Sequence, residues 1–466
     1  MVNKKAEKIK KRGKDKAKPD KAKPEKVKPD KERKIKKIKQ GKKKKNILQT
    51  PTGMSDILPE DQPYFDKILR TVENFSNFYG FKKISPPILE FTELFEKGTG
   101  IDTDIVEKEM YTLRTKGGDL LSLRPEFTPS LVRAYIEHGM MNLPQPVKLF
   151  SMGPVFRHER PQAGRYRQFH QFNIEVIGSS KPIVDIEIIY FCYNILYSLG
   201  IKDALVKINS IGCRDCRLIS KKYLINYLKK KQNFLCPDCK RRLKSNPLRV
   251  LDCKKETCRQ IAAGAPQLLD HLCKDCHSHL KRILEFLDEL KIPYILEPRL
   301  VRGLDYYTRT VFEIVAENEK SASQDALIGG GRYDDLIKLF SRKDVPACGA
   351  AGGVERIINL LKERKINVHQ QGKSEVFFAQ LGDSAKIRAL KLLEEFRKSN
   401  FLTVHSLSKS SLAKQLLLAD KLGMRYSLIL GEEEAKKDSI ILRDMKTGKQ
   451  TLIKISNIIK EVKKRL

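Results

Sequence analysis

The stretch GPVFRHERPQAGRYRQFHQFNIEVIG, Gly153 to Gly178, decides the fold. Its second half alternates polar and apolar residues, so an extended strand would turn Gln171 and Glu175 to one face and residues such as Ile174 to the other. The loop before this strand carries Arg160, Arg165 and Arg167. Because guanidinium groups at the mouth of a sheet suit bidentate binding of phosphate, the stretch predicts a sheet with a phosphate-binding polar face.

Other short strands lie on both sides of this stretch and predict the fold class. Segments such as TRTVFEIVA (308–316) and DALIGGG (325–331) are joined by hairpin-like loops rather than by regular crossover helices. Apolar residues at helical spacing predict a helix over Gln62–Tyr79. We therefore expect an α+β fold, a largely antiparallel sheet flanked by helices. From residue 374 onward, strands alternate with helices, which predicts a small α/β domain with parallel strands.

The length of 466 residues predicts about three domains at roughly 150 residues each. Changes in composition place a Lys-rich tail at 1–46, a body at 47–212 and 283–365, a Cys-rich insertion at 213–282 and a C-terminal domain at 374–466. The tail has too little apolar surface to offset the entropy of ordering, which predicts disorder. Whether it is a solvated segment or an arm that raises affinity for RNA stays open.

The charge of the chain indicates the kind of partner. Lys and Arg number 92 against 57 Asp and Glu, a formal net charge of +35. The tail contributes 23 basic and 6 acidic residues, so the rest of the chain still carries +18. Such an excess favours a polyanion, because neutralised phosphates release condensed counterions.

Several classes of protein are excluded by the same sequence. No apolar run approaches the roughly 18 residues that a membrane-spanning helix needs, and no apolar segment follows the basic N-terminus as in a secretory signal. An integral membrane protein and a disulfide-stapled secreted domain are thereby excluded. We expect a cytoplasmic protein that binds nucleic acid.

The insertion holds eight of the ten cysteines, at Cys213, Cys216, Cys236, Cys239, Cys253, Cys258, Cys273 and Cys276. Its C-x-x-C pairs are typical of zinc sites, since four thiolates can close a tetrahedral site. Two structural zinc sites would fit eight cysteines, but their order along the chain does not assign the pairing. Reduced thiols within a helical insertion are the alternative, so the metal stays unknown.

The motifs carry a resemblance to a known family. The run Phe156-Arg157-His158-Glu159, followed by a loop, Arg165 and Phe169, resembles motif 2 of the class II aminoacyl-tRNA synthetases, in its histidyl-tRNA synthetase form. LVRGLDYYTRTVFEI (300–314) and IGGGRYDDL (328–336) resemble the two histidine-specific signatures of that family. GVER, ending at Arg356, resembles motif 3, and Pro87 matches the motif 1 proline at the dimer interface. The resemblance extends from about residue 47 to the end of the chain.

The resemblance implies a role for each matching residue. For histidine, it implies binding by Glu126, Thr128, Arg157, Gln171, Glu175, Arg302, Tyr306 and Tyr307. For ATP, it implies binding by Arg157, Glu159, Phe169 and Arg356. Arg302 and Arg157 are expected to act in catalysis, by stabilising charge at the α-phosphate. The sequence identifies no general base for the transfer step.

The implied activity is histidine–tRNA ligation. Histidine is activated by ATP with Mg²⁺ to histidyl-adenylate and then transferred to the 3′ end of tRNA(His), by a cytoplasmic homodimer with an anticodon-binding domain. Neither a membrane nor DNA is expected as a partner. Two alternatives remain: a histidine-binding regulatory paralogue of ATP phosphoribosyltransferase without aminoacylation activity, and a tRNA-binding module without catalysis. The C-terminal domain and the intact signatures around Arg157, Arg302 and Arg356 argue against the regulatory paralogue.

Overall fold

The computed structural model of the chain describes residues 48–465, except 102, 163, 318–325, 367, 369–373 and 410. The predicted tail at 1–46 lies outside this range. Among the residues described, no helix is both long and apolar enough to cross a membrane.

The helices are bounded as follows: α1 Gln62–Phe78, α2 Thr92–Thr99, α3 Thr128–Glu137, α4 Pro182–Ser198, α5 Arg214–Lys230, α6 Pro237–Ser245, α7 Glu256–Ala263, α8 Lys274–Glu289, α9 Leu336–Ser341, α10 Val354–Glu363, α11 Asp383–Lys398, α12 Leu412–Lys421, α13 Glu432–Lys436 and α14 Ile458–Lys463. The helix predicted over Gln62–Tyr79 is thus α1, one residue shorter. Pro63 near its start suits the first turn, where a backbone N–H has no helical partner.

The strands are bounded as follows: β1 Lys82–Lys83, β2 Leu89–Phe91, β3 Tyr111–Arg114, β4 Leu120–Leu123, β5 Val147–Phe156, β6 Gln168–Ile177, β7 Ala204–Ser210, β8 Tyr294–Leu296, β9 Thr308–Ala316, β10 Ile328–Arg332, β11 Ala347–Gly353, β12 Val376–Gln380, β13 Val404–His405, β14 Tyr426–Leu430, β15 Ser439–Asp444 and β16 Gln450–Lys454. The deciding stretch forms the β5–β6 hairpin. Pro86 and Pro87 separate β1 from β2, as expected of residues that cannot donate to a ladder.

A central sheet of eight strands forms the body, in the order β1-β5-β6-β11-β10-β9-β7-β8. Its six inner strands pair antiparallel, and only the edge strands β1 and β8 pair parallel to their neighbours. Helices flank this sheet, and the predicted α+β class is confirmed. A separate three-stranded sheet, in the order β2-β4-β3, completes the body.

The alternation along β6 sorts its two faces. Phe172, Ile174 and Val176 are fully buried and pack in a core with the mainly apolar helix α4. Asn173 and Glu175 point to the opposite face, yet each is only 1% exposed. A polar face that is buried rather than solvated marks the side of the sheet on which a ligand site can form.

The C-terminal part has its own sheet, in the order β13-β12-β14-β15-β16. Strands β12, β13 and β14 pair parallel, as predicted, with α11 and α12 as crossovers. Strands β15 and β16 extend this sheet with antiparallel pairing, which was not predicted from the sequence. Phe378, Leu392 and Leu428 belong to the core between this sheet and its helices.

Candidate active site

A cavity of ≈ 220 Å³ lies on the polar face of the central sheet. Strands β6, β9, β10 and β11 contribute to its walls, together with the β5–β6 loop and the segment before β9. Ten of the eleven predicted site residues line it: Glu126, Thr128, Arg157, Glu159, Phe169, Gln171, Arg302, Tyr306, Tyr307 and Arg356. Residues that are far apart in the sequence meet in this cavity because β6, β11, β10 and β9 lie side by side in the central sheet.

Glu126 forms a buried acidic corner of the cavity. Its carboxylate accepts hydrogen bonds from the Tyr306 hydroxyl at 2.7 Å and from Thr99 Oγ1 at 3.0 Å. Burial raises the pKa of Glu126, although these hydrogen bonds and the positive charges of Arg157 and Arg302 oppose the rise. The corner therefore offers a fixed acceptor for a cationic or N–H group of a ligand.

Glu175 is the one predicted site residue that does not line the cavity. It lies behind Thr128 and Tyr333, which do. Its carboxylate accepts hydrogen bonds from Thr128 Oγ1 at 2.8 Å and from the Tyr333 hydroxyl at 2.5 Å. A Cβ at Gly349 would lie 1.5 Å from Glu175 Oε2, so glycine at this position makes room for the carboxylate. Burial raises the pKa of Glu175 to about 7.

Two arginines face the cavity from different elements. Arg157 directly follows β5. Its Nε donates to the Pro125 carbonyl at 2.9 Å, and its guanidinium lies 5.4 Å from the Phe169 ring centroid. Arg302 is ion-paired with Glu313 of β9. A fixed pair of guanidinium groups in a partly enclosed cavity can stabilise charge that develops on a phosphate.

The β5–β6 loop forms the outer end of the cavity. Glu159 accepts a hydrogen bond from Arg165 Nη1 at 2.9 Å. Arg356, in the first turn of α10, donates to the carbonyls of Gly164 at 3.1 Å and Ala326 at 2.9 Å. Of the three loop arginines in the sequence, only Arg165 lines the cavity.

The other two loop arginines lie elsewhere. Arg167 donates from Nε to the Glu159 carbonyl at 3.1 Å and packs against Gly53, and Arg160 is exposed. The sequence placed all three arginines in one basic loop. It did not show which of them lines the cavity and which forms hydrogen bonds within the loop.

The sequence motifs did not predict a role for three further polar residues of the cavity walls, Glu313, Tyr333 and Glu355. Glu355 accepts hydrogen bonds from the backbone N–H of His170, at 2.8 Å, and joins α10 to β6. A carboxylate between the apolar residues of TRTVFEIVA was the available signal for Glu313. Tyr333 lies within the GRYDDL signature, but nothing in its spacing indicated that its hydroxyl would reach Glu175.

The insertion brings its eight cysteines into two groups. Cluster A is Cys213, Cys216, Cys273 and Cys276, and cluster B is Cys236, Cys239, Cys253 and Cys258. Within each group the four sulfur atoms lie within 4.8 Å of one another, an arrangement that could hold a metal ion. The structure thus assigns a pairing that the sequence left open: the first C-x-x-C pair joins the last one, not the second.

Two family models match the chain. One is described as histidyl-tRNA synthetase and matches residues 53–218 and 245–357; the other is described as an anticodon binding domain and matches residues 375–465. The resemblance read from the motifs is confirmed.

Individual relatives agree with these matches. The histidine–tRNA ligase of Natranaerobius thermophilus is 41% identical over 418 residues, 90% of this chain and 99% of that protein. The histidine–tRNA ligase of Halothermothrix orenii is 43% identical over 417 residues, again 90% and 99%. A crystal structure of apo histidyl-tRNA synthetase from S. aureus superposes with a TM-score of 0.74 at 32% identity, covering 89% of this chain and 99% of that one. These likenesses favour the ligase over the regulatory alternative.

Proposed function

The chain belongs to the histidyl-tRNA synthetase family, and on that premise we propose how its cavity performs the reaction. As a member it is a ligase, which activates histidine with ATP and transfers it to the 3′ end of tRNA(His). The observation that carries the proposal is the convergence of Arg157 and Arg302 on the cavity that also holds the carboxylate of Glu126.

The activation step is an in-line displacement at phosphorus. The carboxylate of histidine attacks the α-phosphorus of ATP, a C–O–P bond forms, and pyrophosphate leaves with the electron pair of the broken P–O bond. We propose that Arg157 and Arg302, which both line the cavity, neutralise the negative charge that gathers on the α-phosphate oxygens. Neither has to exchange a proton. Positioning and charge neutralisation therefore account for the catalysis.

The histidine end of the cavity is the polar wall around Glu126. We propose that Glu126, Thr128 and Gln171 bind the α-amino group. Tyr307 and Glu175 bind the imidazole nitrogens; because Glu175 accepts from Tyr333, it acts at least partly through that hydroxyl. Tyr306 orients Glu126. A site built from buried polar groups rejects amino acids without matching nitrogens, since those groups would lose their partners.

The ATP end is the β5–β6 loop and the start of α10. We propose that Phe169 stacks on the adenine ring, Glu159 accepts from the adenine amino group and Arg356 binds the terminal phosphates. Mg²⁺ bound to ATP would neutralise part of the charge on its phosphate oxygens. The C-terminal domain then places the anticodon arm of tRNA(His), for which the matching anticodon-binding model and the basic charge of the chain are the support.

Assembly and location are part of the same proposal. We propose a homodimer whose interface includes the segment of Pro87, since the sheet beside it exposes Phe91 by 63%, Leu120 by 43% and Leu89 by 40%. The cysteines of the described part are free thiols, which suits the reducing cytoplasm. We also propose that zinc bound by the insertion is structural and takes no part in the reaction.

The test is pyrophosphate exchange into ATP with each amino acid supplied singly. Exchange that depends on histidine alone supports the assignment of the cavity. Exchange with none, together with measurable histidine binding, would point to the regulatory alternative. Exchange with another amino acid would contradict the roles given to the residues around Glu126.

A further inference from the structure

We propose that the insertion binds two zinc ions, one in cluster A and one in cluster B, and that together they hold the loop of Tyr306 and Tyr307 in place. The proposal goes beyond the ligase reaction, in which these cysteines have no part. Each site consists of four thiols drawn from two separate segments of the insertion.

The sulfur geometry fits a tetrahedral zinc site. Zinc–thiolate bonds of about 2.3 Å in a regular tetrahedron place the sulfurs about 3.8 Å apart. The Sγ atoms of Cys213 and Cys216 are 3.6 Å apart, and those of Cys236 and Cys253 are 4.0 Å apart. Four sulfurs converging at such distances are too far apart for disulfides and spaced as ligands of one ion.

Backbone N–H groups point at the sulfurs, as the ligands of a metal require. In cluster A the Cys213 N–H donates to Cys276 Sγ at 3.3 Å, and the Cys273 N–H donates to Cys216 Sγ at 3.1 Å. Cys213 and Cys273 each precede a helix, α5 and α8, whose positive ends face the cluster. Both features place positive partial charge beside the sulfurs, which suits thiolates that are bound to zinc.

Cluster B repeats this arrangement around the start of α6. The Cys236 N–H donates to Cys258 Sγ at 3.3 Å, and the Cys239 N–H donates to Cys236 Sγ at 3.4 Å. Cys239, Cys253 and Cys258 are buried. The same buried cluster as these thiols also contains Leu235, Leu243 and Val250. A bound ion would add folding energy to this apolar packing.

Two histidines near these cysteines, His271 and His279, have other partners. His271 stacks on Tyr223 with ring centroids 4.5 Å apart, and His279 Nε2 lies 3.4 Å from Asp185. Within the described residues, the two groups consist of cysteines alone. Four thiolates per ion favour zinc over the harder cations, which prefer oxygen ligands.

Cluster A is joined to the histidine end of the cavity through α5. Arg217 follows Cys216 directly; its Nη1 donates to the Tyr307 carbonyl at 3.0 Å, and its Nη2 pairs with Asp335 at 3.1 Å. A zinc ion that fixes the first turn of α5 therefore also fixes the guanidinium that holds the backbone of Tyr307.

Cluster B is joined to the same loop through α6 and the turn after it. Asn246 donates to the side chain of Asp305, and Arg249 donates to the Gly303 carbonyl at 3.4 Å. Arg242 and Arg249 both pair with Asp104, at 2.7 and 2.9 Å. The insertion thus contacts the Gly303–Tyr307 loop from two sides, and each cluster lies behind one of these contacts.

The experiment is a zinc count on the full chain, produced without a metal-binding tag in zinc-supplemented medium and passed over a chelating resin. Elemental analysis should give two zinc ions per chain. Cys273→Ser (cluster A) and Cys253→Ser (cluster B) should each give one, and the double variant none. Cys192→Ala, which removes a buried thiol of α4 outside both clusters, is the matched control and should keep two.

A second measurement tests the metal sites in the unchanged chain and therefore needs no cysteine variant. The unchanged chain produced in cobalt-supplemented medium should show the intense visible absorption of tetrahedral Co²⁺–thiolate centres, at two equivalents per chain. A chain with less than one zinc and no such absorption would overturn the proposal. Loss of both ions from either single variant would overturn the assignment to two separate sites.

A separate measurement tests whether the zinc ions position the loop of Tyr306 and Tyr307. This measurement rests on the proposed function, whereas the zinc count is independent of it. In histidine-dependent pyrophosphate exchange, kcat/KM for histidine should fall about 10- to 100-fold in Cys273→Ser, as displaced positioning groups typically cause. Cys192→Ala should remain at the level of the unchanged chain. An unchanged kcat/KM in a variant that has lost its zinc would overturn the positioning role while leaving the metal sites intact.

Discussion

At the scale of single residues, the cavity depends on two glycines as well as on its charged side chains. A Cβ at Gly329 would lie 2.2 Å from Nη2 of Arg302, and one at Gly349 would overlap the carboxylate of Glu175. Both glycines lie in strands, where glycine is otherwise unfavourable. Their conformational freedom matters less here than the space they leave for a guanidinium and a carboxylate.

Replacing Arg302 tests its proposed role at the α-phosphate. Arg302→Ala should lower kcat of histidine-dependent exchange by about 10²- to 10³-fold with a smaller change in KM, because it removes an interaction made in the transition state. Steady-state kinetics separates the two constants. Arg299→Ala, which removes a half-exposed arginine paired with Glu297, is the control and should change neither. A rise in KM at constant kcat would assign Arg302 to ground-state binding.

Adding one methyl group at Gly329 tests the same arginine without removing it. Gly329→Ala should displace the Arg302 guanidinium and lower kcat by about 10²-fold, since a shift of about 1 Å is enough to misplace a catalytic group. Gly117→Ala is the matched control, because a Cβ there meets only ordinary contacts at 3.7 Å or more. Equal activity of the two variants would mean that the position of Arg302 is not critical.

Glu175 predicts a pH dependence of stability. Burial raises its pKa from the ordinary 4.5 to about 7 in the folded chain, so the folded chain keeps a proton that the unfolded chain loses between these values. The free energy of unfolding should therefore fall as pH rises through that window and level off above it, a loss of about 3 kcal/mol from this group.

The comparison that isolates this effect is with Glu175→Gln, which keeps the shape but cannot ionise. Urea unfolding of both proteins at about pH 5 and about pH 8 should show the unchanged chain losing stability relative to the variant. Glu256→Gln, at an exposed position of the insertion, should follow the unchanged chain. Parallel curves for the Glu175 variant and the unchanged chain would contradict the raised pKa.

At the scale of elements, an ion pair inside the body ties the sheet to its helices. Arg332 at the end of β10 and Asp185 of α4 are both fully buried, and Arg332 Nε lies 3.2 Å from Asp185 Oδ1. Arg332 also donates to the Ser179 carbonyl at 2.8 Å, and His279 of α8 approaches the same aspartate. Burial alone would raise the pKa of Asp185, but its hydrogen bonds with His279 and the charge of Arg332 lower it.

Breaking this pair should destabilise the fold strongly. Arg332→Met leaves the Asp185 carboxylate buried without its main partner, which costs about 3–5 kcal/mol of unfolding free energy. Chemical denaturation followed by circular dichroism measures the change. Arg259→Met, which removes an exposed pair with Glu256, should cost less than about 1 kcal/mol. A comparable small loss in both variants would show that Arg332 contributes little.

Prediction from sequence succeeded best for elements with a clear period. The alternation in FHQFNIEVI predicted β6 and its two faces, and the apolar spacing in 62–79 predicted α1. The antiparallel strands β15 and β16 were not predicted, because β15 shows no regular alternation of buried and exposed residues and β16 is a short strand at the edge of the sheet. Arg332 was missed as well, since nothing local distinguishes an arginine that will be buried from one that stays in water.

At the scale of the whole molecule, the exposed apolar side chains of the three-stranded sheet support the proposed dimer. Phe91→Glu should convert the dimer to a monomer, because a carboxylate cannot be buried there without a partner. Sedimentation velocity at micromolar concentration measures the mass. Phe78→Glu, an 85% exposed phenylalanine of α1, is the matched control and should remain dimeric. A dimer that tolerates Phe91→Glu would place the interface elsewhere.

The amino-acid sequence was sufficient to predict the class of fold, the family and ten of the residues that line the cavity. It could do so because the periodicity of a strand or helix and the order of residues in a long motif are local properties of the chain. Local patterns record which face of an element is apolar and which polar groups that element carries.

Which distant groups meet could be read only from the folded chain. It placed Glu175 behind Gly349 rather than in the cavity wall, joined Tyr333 to it, and sorted eight cysteines into cluster A and cluster B. It also separated Arg165, which lines the cavity, from Arg167, which holds the loop. The physical reason is that distance, burial and pKa depend on packing between segments remote in sequence, and no local pattern records that packing.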